Sequence, residues 1–131
     1  MRAFARALGL AGESYRDDRV RSVFAIAPAL GHSVSEASLQ SIAIPVRIVV
    51  GDNDHAAPLG ENAAHFAKHI RNARLDVLAG GVGHYVFLDL PTAKGKTSLP
   101  ALAVDPPGVD RAAIHERVAE MAAELFGEAL K

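Results

Sequence analysis

Two residues in this chain have the type and the setting to share a proton, Asp54 and His84. Asp54 lies in the segment 45–58, which reads PVRIVVGDNDHAAP. A proline opens it, an apolar run over 46–50 follows, and Gly51 then turns the chain into two aspartates. A buried strand delivers a carboxylate to the edge of a sheet in this way. His84 follows about thirty residues later, in GGVGHYVFL, after a second short apolar run. A carboxylate beside an imidazole fixes its tautomer and stabilises its protonated form, and the imidazole can then move a proton. These are two of the three parts of a hydrolytic triad. Two plainer roles stay open here. Gly-Asp-Asn-Asp is also good turn chemistry, so Asp54 can serve the turn alone. His84 can serve as a loop cap. Asp52 is a second candidate acid, but the Gly-x-x-Asp spacing favours Asp54.

The nucleophile is not plain. Gly31-His32-Ser33-Val34-Ser35 begins like the elbow Gly-x-Ser-x-Gly. Three features argue against Ser33. An elbow needs a strand running straight into its first glycine, and Pro28-Ala29-Leu30 intervenes. Ser35 stands where the last glycine would let a helix pack closely. About twenty residues separate Ser33 from Asp54, too few for another strand between them. A loop serine is the expected role. There are no cysteines, which excludes a disulfide, a thiolate zinc site and a cysteine nucleophile within these residues. His65 and His69 have the four-residue spacing of two ligands on one helix face. No HExxH glutamate and no third ligand accompany them, so an exposed helix face is expected and no metal or cofactor. His55, next to Asp54, is expected to line the pocket.

The 131 residues suit one domain, taken as 1–131. Half are hydrophobic, enough for a sizeable core. The net charge of -1 offers no electrostatic attraction for nucleic acid or an acidic membrane. No apolar run reaches spanning length. The N-terminus has arginines at 2 and 6, with Phe4, Ala7 and Leu8 at helical spacing. It reads as an amphipathic helix over 2–11 stopped by Gly12, not as a secretion signal. The compartment is open, with the cytoplasm as default.

The elements that must position Asp54 and His84 follow in order. An apolar run over 20–27 predicts a strand covered on both faces. A loop over 31–41 carries a turn of helix at 36–40. After the strand at 46–50, Pro58 fits the first turn of a helix over 59–70, closed by Asn72. Leu75, Val77 and Leu78 mark a third strand. Gly80, Gly81 and Gly83 form a flexible loop before His84, and a short helix over 85–90 ends at Pro91. Residues 92–108 lack regular pattern, with Leu99 and Leu102 available to tuck inward. Asp110 reads as the N-cap of a last helix with Ile114, Val118, Met121, Leu125 and Phe126 on one face. Strands alternate with helices, which predicts an α/β fold of about three parallel strands with right-handed crossovers. Asp54 and His84 both fall past the carboxyl ends of strands, where such sheets bind ligands.

Several stretches carry a resemblance. DDRVRSVFAIAPALG, IPVRIVVGDNDHAAPLGENAAHFA, VGHYVFL and DPPGVDRAAIHERVAEMAAELF resemble the C-terminal half of an α/β-hydrolase. They are most similar to predicted dienelactone hydrolases and lipase-like esterases, and the resemblance runs from Asp17 on. It implies a partial α/β-hydrolase fold and a Ser or Cys nucleophile, Asp and His in that chain order. Asp54 is then the triad acid and His84 the general base. Arg111 and His115 match a DR-xxx-H signature and are expected to be structural. The elbow, the early strands and the oxyanion loop have no counterpart here. The implied substrate is a small ester or lactone, and the chain is expected to be inactive alone. A sheet without its first strands has an open edge at the strand near Val20. Self-association or a complementary chain at that edge is therefore expected, with no nucleic-acid or membrane partner.

Overall fold

The structure, a computed structural model, describes residues 15–129 and 131. The helix expected over 2–11 lies outside the described residues. Three strands form one parallel sheet in the order β1 (Val23–Ile26), β2 (Val46–Gly51), β3 (Ala73–Leu78). Val23 pairs with Val46 and Val46 with Ala73, so the strands start level. The helices are α1 (Glu36–Gln40), α2 (Ala63–His69), α3 (Ala93–Ser98), α4 (Pro100–Ala103) and α5 (Arg111–Ala129). Short 3₁₀ turns cover Gly31–Ser33 and His84–Phe87. This is a small α/β fold with a parallel sheet between helices.

β2 is the central strand and every residue of it is buried. Its side chains alternate between two cores, as the strand period of two requires. Val46, Ile48 and Val50 pack with Leu39 of α1, Ala63 of α2 and Ile70. Val49, on the other face, packs with Leu78, Val82, Val86 and with Val118 and Met121 of α5. Each such side chain contributes about 1.5–3 kcal/mol by leaving water. A strand covered on both faces reads as a near-continuous apolar run, which is why 46–50 stands out in the sequence. The exception inside that run is Arg47. Its guanidinium is buried and meets Asp76 of β3 at 2.9 Å, Glu124 of α5 at 2.8 Å and the Met121 carbonyl at 3.0 Å. The Asp76 hydrogen bond raises the arginine above its usual pKa, against the desolvation that lowers it. Arg47 therefore ties the sheet to α5.

Several boundaries differ from the sequence expectation. β1 is shorter than 20–27 and is not covered on both faces: Val20, Val23 and Ile26 are exposed. Among the described residues it has a neighbouring strand on one side only, so its flank lacks the cover that β2 receives. After β1 the chain takes left-handed conformations at Ala27 (φ 44°) and Leu30 (φ 62°), each costing a non-glycine residue about 1–2 kcal/mol. α2 starts at Ala63, not near Pro58. The Asn62 side chain accepts from the Gly31 N–H and donates to the Pro58 carbonyl, which holds the preceding turn out of helical geometry. α2 ends at His69 with Ile70 as its C-cap, while Asn72 donates to the Ala43 carbonyl. The expected helix over 85–90 is a 3₁₀ turn. The stretch 92–108 is not irregular but holds α3, capped by Thr92 on the Gly95 N–H, and α4, begun by Pro100. Leu99 stays exposed. Asp110 caps α5 through the Ala113 N–H, as its position predicts.

Arg47→Ala would leave Asp76 and the Met121 carbonyl short of a buried partner. A loss on the order of 3–5 kcal/mol is expected. Urea unfolding at neutral pH measures it, and a change under 1 kcal/mol would remove Arg47 from this role.

Candidate active site

The site begins where β2 ends. At Gly51 an added Cβ would lie 2.0 Å from the Val82 carbonyl oxygen, so the backbone of the next loop passes directly over this residue. The Asn53 N–H donates to that same carbonyl at 3.0 Å, and the Asp52 N–H donates to Leu78. The Asp52 carboxylate then gathers the loop. One oxygen accepts from Gly80 at 3.0 Å, the other from Gly81 and Val82 at 2.9 Å each. Gly80 and Gly81 have φ of 106° and 82°, a conformation that favours glycine. Three N–H groups aimed at one carboxylate make Asp52 the anchor of the loop, engaged there and not with His84.

Two residues on, Asp54 is turned inward and its side chain is fully buried. Its oxygens have separate tasks. Oδ1 accepts from the Ala57 N–H at 2.7 Å, and Oδ2 lies 2.8 Å from His84 Nδ1. The turn role and the histidine contact, alternatives in the sequence, are thus both filled. His84 opens the 3₁₀ turn just past the Asp52-held loop. With Asp54 ionised, Nδ1 carries the proton and Nε2 presents a lone pair. Nε2 has no hydrogen-bond partner among the described residues, and the side chain keeps 29% of its exposure. The Tyr85 ring meets the imidazole edge-on, with centroids 5.3 Å apart.

The turn carrying His84 is held from below. Val86 is buried against α5, and His115 Nε2–H donates to its carbonyl at 2.8 Å. Arg111 makes a bidentate pair with Asp105, 2.8 Å at both contacts, and donates to the carbonyls of Asp89 and Leu102. It joins the start of α5 to α4 and to the exit of the 3₁₀ turn. Through these bonds both residues hold the turn and α5 in place.

The other candidates lie elsewhere. Ser33 is exposed in its own 3₁₀ turn, and its N–H donates to Leu30. β1 ends at Ile26, so no strand runs into Gly31. No hydrogen bond joins Ser33 to His84. His55 is exposed and lines a cleft of about 250 Å³ beside His84. His65 and His69 do not sit on an exposed face. Their ring centroids lie 4.7 Å apart with the planes tilted by 48°, His32 approaches His65 at 5.4 Å, and His69 faces Glu36 at 3.5 Å. The cause is packing: this side of α2 lies against the 31–40 segment. Among the described residues, no group of three or more histidine or acidic side chains is arranged to hold a metal ion.

Sequence reasoning missed Asp52 as an anchor and Leu102, Val104 and Asp105 as cleft walls. The Gly80-Gly81 pair was the available signal for the first. No local signal marks the second, because α4 meets the His84 turn only through tertiary packing. Comparison with family models, curated proteins and solved structures finds no match to this chain.

Asp52→Ala should cost roughly 1–3 kcal/mol and speed amide exchange at Gly80, Gly81 and Val82, while leaving β1 protected. Exchange measured by NMR checks this, and unchanged rates in the loop would contradict it. Asp54→Asn should remove the strongly deshielded His84 Nδ1 proton from the spectrum. A retained signal at the same position would mean another acceptor holds the ring.

Proposed function

We propose that this chain supplies the acid–base arm, Asp54 and His84, of a serine- or cysteine-type hydrolase of carboxylic esters or lactones, of the α/β-hydrolase kind. The observation that carries the reading is the 2.8 Å contact between a fully buried carboxylate and His84 Nδ1, with Nε2 left open. Asp54 orients the imidazole and stabilises its protonated form. Nε2 takes the proton of the nucleophile as its oxygen or sulfur bonds to the ester carbonyl carbon, and the carbonyl electron pair moves onto oxygen. Collapse of that adduct expels the alcohol oxygen, which takes the proton back from Nε2. Water then repeats the sequence on the acyl-enzyme and releases the acid.

The nucleophile and the oxyanion donors come from another segment or another chain. Among the described residues no strand pairs with the outer flank of β1, which supports it as the place of attachment. An apolar hollow of about 560 Å³ beside it is lined by Val20, Val23, Ala25, Leu39, Ile42 and Phe66. A unit adding a strand at β1 would extend the sheet and bring its own carboxyl end to the edge that holds Asp54 and His84. The alternative, a non-catalytic module that assembles with copies of itself, rests on the same edge.

Alone, the chain should hydrolyse p-nitrophenyl acetate no faster than an equal concentration of imidazole, and Ser33→Ala should change nothing. Turnover well above imidazole that Ser33→Ala abolishes would overturn the reading. It also expects an in-frame Gly-x-Ser-x-Gly or Gly-x-Cys-x-Gly in the DNA preceding the Met1 codon or in a companion chain. In sedimentation, the chain alone should associate reversibly, and Val23→Lys should weaken that at least tenfold. A strict monomer that binds no apolar dye would count against an open edge.

A further inference from the structure

The cleft beside His84 has a definite chemistry. Its apolar walls are Tyr85, Ala101, Leu102, Val104 and Pro106, and its polar lining is Asn53, His55, His84 and the Arg111–Asp105 pair. About 250 Å³ is below the range of pockets for drug-sized ligands, so the group it takes is small. Among the described residues the single permanent cation in the wall is Arg111, and it is already engaged. A guanidinium has five N–H groups. Four hydrogen bonds leave it here, two to Asp105 and one each to the Asp89 and Leu102 carbonyls. Its side chain keeps only 5% of its exposure. A carboxylate entering the cleft would shed its water for a cation already neutralised by Asp105, and it would face the Asp105 charge as well. An alkyl group would meet Leu102, Val104 and Pro106 at no such cost.

We infer that this cleft is a specificity pocket that takes a small, uncharged apolar group of an ester and rejects substrates carrying a carboxylate there, with Leu102 and Val104 setting its size and the Asp105–Arg111 pair setting its charge. The inference rests on the hydrolase reading for the word substrate, but the pocket's selectivity is measurable without turnover. Because α4 carries Leu102 and is fastened to α5 by Arg111, the wall is fixed by the same arginine whose charge is cancelled.

The test uses two esters that differ at one end, methyl butyrate and monomethyl succinate, in which a carboxylate replaces the terminal methyl group. Each is titrated into the intact chain and followed by the amide resonances of Gly83, His84, Tyr85 and Leu102. Methyl butyrate should give saturable shifts, and monomethyl succinate should bind at least tenfold more weakly. Leu102→Trp should weaken methyl butyrate at least tenfold, with Val104→Trp as a second pocket-filling variant should the first fail to fold. Asp105→Ala frees two guanidinium N–H groups and should reverse the preference in favour of monomethyl succinate. Equal or tighter binding of monomethyl succinate to the native chain would overturn the inference. So would the absence of any shift with methyl butyrate, or unchanged affinity in both tryptophan variants. A selective pocket in a completed protein that never hydrolyses esters would sink the hydrolase reading alone. Hydrolysis that does not discriminate the two esters would sink the pocket alone.

Discussion

The Asp52 carboxylate is the interaction on which the site depends. β2 and β3 are parallel neighbours, so their carboxyl ends lie side by side, yet parallel pairing says nothing about where the chain goes after β3. Asp52 decides that by collecting the N–H groups of Gly80, Gly81 and Val82. The loop is drawn across Gly51, whose missing side chain makes room for the Val82 carbonyl. Once the loop is held there, His84 emerges within reach of Asp54. One carboxylate organises the backbone, and a second, two residues away, faces the imidazole.

That clamp works because both of its sides are rigid. On one side β2 is buried along its whole length, packed on two cores and fastened to α5 through Arg47. On the other side the turn bearing His84 rests on α5 through Val86 and His115, and the exit of the turn is held by Arg111. α5 therefore supports both the strand that presents the acid and the turn that presents the base. A histidine placed by such a frame loses little rotational freedom when it engages a proton, which is the physical content of preorganisation.

The strongly patterned parts of the fold were legible from residues. β2 and α5 were read close to their observed limits, because an unbroken apolar run and a helical repeat starting at an Asp cap leave few options. Asp54 and His84 were legible as a pair from their place after strands. What was not legible has two causes. α2 lost its first turn to Asn62, whose side chain serves Gly31, a residue thirty-one positions away. The exposure of β1 and the packing of His65 and His69 depended on which neighbours were present or absent, and local pattern does not carry that information.

By itself the sequence determined the α/β class, the central strand and the two residues able to share a proton, because hydrophobic periodicity and strand-end chemistry are local properties. The tertiary structure alone decided that Asp52 anchors the loop and Asp54 faces the histidine. It also decided that Arg111 is neutralised by Asp105 and that Ser33 stands apart from His84. Each of these depends on the direction of a side chain relative to a distant segment. Two aspartates two positions apart are alike in the chain, and they differ only once the fold has turned one toward a loop and the other inward, to the imidazole.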